Sequence, residues 1–180
     1  MRKRSVRELQ ELKLYVWNTD MSDKVPVSVV PASQSDLKAT KDWQTRWTST
    51  AAKEMPNKVA LHRTDDGELL GLMSYEIDHG ALAVEIIYIE SAAHSNANLL
   101  HATGGSKKYI GVARALIAYA AKASVDAGFD GVLFFKAKTD ELRKYYMQEF
   151  GAMPVGRYDP YRLVIWEDAA ANILSDFEEV

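Results

Sequence analysis

Two carboxylates interrupt an apolar run in this 180-residue chain: Glu85 and Glu90, within Val84-Glu85-Ile86-Ile87-Tyr88-Ile89-Glu90-Ser91. A nearly continuous β-branched and aliphatic run fits a central strand covered on both faces. A carboxylate there costs free energy unless it is exposed, paired or used, so both are candidates for acid–base work. Strand alternation places them on opposite faces. Further along, Gly111 and Ala113 stand where a helix begins, so little side-chain bulk covers the free backbone N–H groups of its first turn. The positive end of the helix dipole and the cations Lys107, Lys108 and Arg114 act there in one direction, which suits a phosphate or pyrophosphate. A plain helix-start glycine accounts for Gly111 equally well. The later pair Tyr145-Tyr146 could supply a phenolic proton or could simply pack.

Positioning these groups requires strands and helices in a particular order. Ser5-Val6-Arg7-Glu8 fits a capping box ahead of a short N-terminal helix carrying Val6, Leu9 and Leu12 on one face. Residues 15–17 read as an aromatic connection, and residues 25–30 as a first strand. From Ser33 or Ser35 to about Lys53 the spacing predicts a helix with Trp43 and Trp47 on one face, most simply as core. Residues 59–64 and 69–78 flank the turn signal Asp65-Asp66-Gly67 and predict a hairpin, followed by the central strand at 81–92. Residues 94–106, rich in Ser, Asn, Ala and Gly, read as a long loop that either closes over a neighbouring cleft or runs as a passive link. The helix starting at Gly111 places Leu116, Ile117, Ala120, Ala123, Ser124 and Ala127 on one narrow face and ends at Gly128-Phe129. A strand at 131–137, a helix at 139–150 ending at Gly151, a strand at 161–166 and a helix at 169–177 complete the chain.

Composition bounds the chemistry. A hydrophobic content of 47% is enough for one domain with a full core. The expectation is a single unit over residues 1–180, its core at about 25–166. The net charge of −3 gives no global positive field for nucleic acid, although Arg2, Lys3, Arg4 and Arg7 make the first turn locally basic. Without cysteine there is no disulfide, thiolate metal site or thiol nucleophile. His94 and His101 lack partners at ligand spacing, so no metal is expected. No secretory signal or apolar run of membrane-spanning length is present, and the expected location is cytoplasmic.

The order of hairpin, buried strand, phosphate-binding helix start, strand, and helix ending in aromatic-Gly resembles the GNAT acetyltransferase superfamily. The family signature, Arg or Gln followed by x-x-Gly-x-Gly or Ala, is matched by Lys108-Tyr109-Ile110-Gly111-Val112-Ala113, with lysine in first place. Val84-Glu85-Ile86 resembles the family segment whose glutamate is catalytic in histone acetyltransferases. Thr139 to Tyr146 resembles the segment that begins with Asn and reaches a tyrosine seven residues on. Threonine here replaces the asparagine, Phe150-Gly151 falls one residue late, and the link between Ser91 and Lys108 is longer than the family's. The resemblance spans roughly residues 25 to 166. It implies an α/β (α+β) fold with a mixed, mostly antiparallel central sheet flanked by helices, plus extra N- and C-terminal helices.

It also implies an N-acetyltransferase that moves the acetyl group of acetyl-CoA to a primary amine by direct attack, with no metal. The pyrophosphate would lie on the backbone from Lys108 and Tyr109 through Gly111, Val112, Ala113 and Arg114. Backbone groups at Ile89, Glu90 and Ser91 would hold the pantetheine amides and the thioester carbonyl. An amine with a lysine-like pKa is neutral in only about one molecule per thousand at pH 7, so attack needs a proton acceptor, for which Glu85 is preferred. Tyr146, or Tyr145 in its place, would donate a proton or a hydrogen bond to the departing sulfur. The implied partners are acetyl-CoA and an amine acceptor, with no membrane, no nucleic acid, and a homodimer left open. The same fold could also bind acyl-CoA or a protein partner without turnover.

Overall fold

The computed structural model describes residues 12–178, so the capping box at Ser5–Glu8 and the basic residues Arg2, Lys3, Arg4 and Arg7 lie outside the described residues. The apolar stretches on either side of Asp65-Asp66-Gly67 pair antiparallel as β3 (Lys58–Arg63) and β4 (Leu69–Asp78). Around this hairpin, β1 (Tyr15–Asn18) and β2 (Asp23–Pro31) extend the sheet on one side. On the other side lie β5 (Ala83–Ser91), β7 (Leu133–Lys136), β9 (Arg162–Ile165) and β8 (Met153–Pro154), while β6 (Tyr109–Ile110) closes the far edge against β1. The order is β6-β1-β2-β3-β4-β5-β7-β9-β8. Every neighbouring pair is antiparallel except β5 and β7. The mixed, mostly antiparallel sheet is therefore as expected. Residues 15–17, read as a connection, belong to the strand β1 instead.

One face of the sheet is covered by α4 (Val112–Asp126) and, beside it, α6 (Glu167–Ser175). Leu116, Ile117, Ala120 and Ser124 are buried as their spacing predicts. The stop signal at Gly128-Phe129 also holds: the Gly128 N–H donates to the Val125 carbonyl at 2.9 Å and the Phe129 N–H to Ser124 at 2.8 Å, the paired bonds of a Schellman motif. The close approach of α4 depends on Gly71 of β4. A Cβ there would lie 2.8 Å from Val112 Cγ1, 3.1 Å from Leu116 Cδ1 and 3.1 Å from the Glu90 carbonyl oxygen. Gly71→Ala is therefore expected to overpack this contact and destabilise the fold by about 1–3 kcal/mol. Chemical denaturation checks it, and an unchanged midpoint would mean that the helix yields without strain.

The other face is covered over β3, β4 and β5 by residues 34–53. These form α1 (Gln34–Lys38) and α2 (Thr50–Lys53) joined by an arm of turns at 39–49, where the sequence pattern suggested one helix. Side-chain bonds replace the helical ladder here: the Thr40 hydroxyl donates to the Leu37 carbonyl at 2.8 Å and accepts the Trp47 N–H at 3.1 Å. Trp43 and Trp47 pack with Leu37, Ala60, Leu72 and Ala92, so they are core residues as expected. The 94–106 segment is more ordered than a loop, with a 3-10 turn at Ala93–Ser95 and α3 (Ala97–Thr103), which buries none of its side chains. The last helix on the route to the site, α5 (Asp140–Phe150), is N-capped by Thr139 and ends on left-handed Gly151.

Candidate functional site

A cleft opens where β5 and β7 part. The two strands are in register only at Val84 with Leu133 and Glu85 with Phe134. Beyond them the β7-facing edge of β5 has no strand partner, so its N–H and C=O groups from Ile86 to Ser91 are open on that side. A bulge contributes to the divergence: Ser74 pairs with Tyr88 and Tyr75 with Ile86, which leaves Ile87 as the extra residue of β5. The bulge also overturns the expectation that Glu85 and Glu90 lie on opposite faces. Glu85 sits across from Glu76 and Glu90 across from Leu72, residues of the same parity in an unbroken strand, so one extra residue returns both carboxylates to the face away from α4.

The cleft holds about 510 Å³ and is lined by Ile89, Glu90 and Ser91 of β5, Ala113 of α4, Lys107, and Tyr146 of α5. At its α4 end, Gly111 is the N-cap residue with φ +97 and no capping side chain. That leaves the N–H groups of Val112, Ala113 and Arg114 without intrahelical acceptors. A Cβ on Gly111 would meet nothing within 4 Å, so the space beside that residue is open. The cations are arranged differently from the sequence expectation. Lys108 is held by Glu68 at 2.8 Å, which raises its pKa, and Arg114 turns to Asp176 and stacks on Phe150. Of these three cations only Lys107 lines the cleft, together with Lys136 and Lys138 from further along the chain. Tyr109 is buried, its N–H already donates to Ser95 Oγ at 3.0 Å, and its hydroxyl bonds Glu68 and Arg63. The Tyr109 N–H, expected to face a pyrophosphate, is thus already used within the chain.

The titratable side chains divide between two hollows. Tyr146 lies in the main cleft, its ring 4.9 Å from Phe135 and 6.0 Å from Phe150. Burial, with smaller contributions from Tyr145 and Tyr88, pushes its phenol up to about 12. Tyr145, on the same wall, is 38% exposed. Glu85 instead lines a smaller hollow of about 250 Å³ on the face away from α4, with Phe134, Arg162 and Trp166. The two hollows adjoin at Phe135 and Lys136. Burial and then the facing Glu76 raise the Glu85 pKa, Asp78 adding to the effect and Arg162 opposing it. Glu90 is pushed up by burial against the opposing pull of the Thr45 N–H, the Trp47 side chain, the Gln44 N–H and Lys138. The structure therefore brings Glu90 and Tyr146 to one cleft and sets Glu85 next door.

Four cleft residues carry no local sequence signal: Gln44 and Thr45 on the arm, Tyr88 on β5, and Lys138, whose Nζ sits 3.3 Å from the centre of the Tyr88 ring. The arm reaches the cleft by tertiary packing alone, and the bulge decides which way Tyr88 points. Among the described residues no group of three or more His, Asp or Glu side chains is placed to hold a metal, and no helix is long and apolar enough to cross a membrane.

No family model matches the chain, and no curated protein matches it in sequence. Solved structures do match. An acetyltransferase of the GNAT family from Listeria monocytogenes is 14% identical, with 78% of this chain and 94% of that one covered at a TM-score of 0.51. The AtaT toxin, in a mutant form bound to the C-terminus of the antitoxin AtaR, is 13% identical, with 85% and 99% covered at a TM-score of 0.49. With its parted parallel strands, bulged β5 and glycine-started α4, the chain has a GNAT-like fold.

Proposed function

We propose that the protein is an N-acetyltransferase that moves the acetyl group of acetyl-CoA to a primary amine of a small molecule or polypeptide by direct attack. One observation carries this reading: the unpaired edge of β5 leads straight to an uncapped helix start. An extended chain with amides along its length and phosphates at one end matches that sequence of donors and acceptors. Pantetheine would pair with the β5 edge around Ile89, Glu90 and Ser91, and the pyrophosphate would meet the Val112, Ala113 and Arg114 N–H groups with Lys107 beside them. Lys108 contributes indirectly, as the Glu68 partner that fixes the approach to Gly111. The acetyltransferase activity named for the Listeria protein of similar fold supports the same direction.

In this mechanism the amine enters from the face away from α4, loses its proton and attacks the thioester carbonyl. The C–N bond forms as the C–S bond breaks, CoA departs as the thiolate, and the second proton shed by the new amide nitrogen reaches sulfur through solvent to give the thiol. Glu85 accepts the ammonium proton through water from the adjoining hollow. Its carboxylate form is required, so activity falls as pH drops through its raised pKa. Glu85→Gln is expected to lower kcat roughly tenfold near neutral pH and to flatten that acid limb, a modest loss because water can take over part of the role. Following thiol release from acetyl-CoA over a panel of small amines and peptides, across pH, tests both statements. Acetyl-CoA binding with no CoA release for any amine would leave the non-catalytic acyl-CoA-binding reading. An unchanged pH profile in the Gln variant would remove Glu85 from the mechanism.

A further inference from the structure

Glu90 is 5% exposed, and no cation lies within ion-pair distance of it among the described residues. Its carboxylate is engaged by backbone instead: Oε2 accepts the Gln44 N–H at 3.0 Å and Oε1 the Thr45 N–H at 3.1 Å. These two residues form the tip of the 39–49 arm, between the buried anchors Trp43 and Trp47. The arm has no helical or strand ladder at that point, so the bonds to Glu90 satisfy backbone donors that would otherwise be unpaired beside the core. Two further bonds radiate from the same tip. The Gln44 side-chain carbonyl accepts from Asn96 Nδ2 at 3.2 Å, which ties the arm to the N-cap of α3, and Thr45 Oγ1 shares a hydrogen bond with the Tyr88 hydroxyl. Gln44, Thr45, Tyr88 and Asn96 all line the cleft.

We infer that Glu90 is a positioning residue for the amine acceptor, which uses its carboxylate to hold the Gln44-Thr45 tip as the acceptor-side wall of the cleft. The inference rests on the acetyl-transfer reading. It gives the two glutamates of β5 different work. Two backbone N–H bonds fix the Glu90 carboxylate on the arm, whereas among the described residues no hydrogen bond fixes that of Glu85. Glu90 also lies on the acceptor side, because the bulge at Ile87 turns it away from α4. What it fixes is the wall the acceptor touches, not the edge of β5 or the helix start assigned to the donor.

Glu90→Gln tests this, because the amide keeps the shape but turns one accepting oxygen into a donor facing a backbone N–H. The acceptor KM should rise about tenfold, in line with loss of a charge-assisted hydrogen bond, with kcat at saturating acceptor retained and KM for acetyl-CoA moved by less than that, because the substitution leaves the Glu90 backbone assigned to pantetheine in place. Trypsin should cut faster after Lys41 or Arg46, which flank the tip, with no faster cutting elsewhere. A fall in kcat alone would make Glu90 a base and overturn the inference. Unchanged acceptor KM with unchanged cleavage would overturn it too. Should Glu90→Gln fail to fold, the pair Gln44→Ala with Thr45→Val leaves the carboxylate intact and must shift acceptor KM in the same direction, or the inference falls. If no amine releases CoA from the wild-type protein, the transferase reading fails and the acceptor role with it. The trypsin comparison then separately reports whether Glu90 holds the arm.

Discussion

Tyr146→Phe is expected to lower kcat about a hundredfold while leaving KM for acetyl-CoA and thermal stability nearly unchanged, a loss of the size seen when one preorganised donor is removed from developing negative charge. Phenylalanine keeps the ring contacts with Phe135 and Phe150 and deletes only the hydroxyl. The kind of help that hydroxyl gives follows from its acidity. Burial holds the Tyr146 phenol at about 12, whereas a thiol has a pKa of about 8.5. Full transfer of the phenolic proton to a departing thiolate would therefore be uphill by roughly 5 kcal/mol, and in the proposed mechanism Tyr146 would hydrogen-bond to sulfur as its charge develops. The phenol also stays protonated throughout the neutral range, so the rate ratio between wild type and variant should be flat with pH. That separates it from Glu85→Gln, which changes the acid limb. Measured turnover equal to wild type would reduce Tyr146 to a packing residue.

Ala113→Glu should abolish most acetyl-CoA binding without harming the fold. Ala113 lies in the first turn of α4, where an acidic side chain complements the helix dipole and should add about 0.3–1 kcal/mol of stability. The same carboxylate would occupy the free N–H groups and face the incoming phosphates, a like-charge clash worth on the order of 2–3 kcal/mol, or roughly a hundredfold in Kd. Gly111 is a poorer probe because its φ of +97 makes any side chain strained there. Calorimetric titration of acetyl-CoA, paired with a thermal melt, reads both quantities. A variant that melts higher and still binds with wild-type affinity would place the phosphates elsewhere, and Ala113→Gln should fall between the two.

Local chemistry was enough for most of the framework. The hairpin around Asp65-Asp66-Gly67, the β5 run, the α4 face and its Gly128-Phe129 stop, the Thr139 cap and the Gly151 end are all encoded within a few residues of where they act, through turn geometry, periodicity and capping. The uncapped helix start was legible for the same reason: the lack of a side chain over it is a local property of Gly111 and Ala113. Where two distant segments meet, local rules failed. Helical spacing from 33 to 53 was real but lost to Thr40 and Glu90, whose side chains capture the backbone donors that a helix would have used. Lys108 and Arg114 read as free cations until Glu68 and Asp176 arrive from elsewhere in the chain.

Period-two alternation assigned Glu85 and Glu90 to opposite faces, and a single extra residue at Ile87, visible only in the pairing of β5 with β4, reversed that assignment. The sequence by itself therefore determined which residue types could do chemistry and which elements carry them, because those depend on near neighbours. Only the tertiary structure decided which of them share a cleft, because register, bulges and long-range ion pairs are set by the partner strand and not by the strand's own residues.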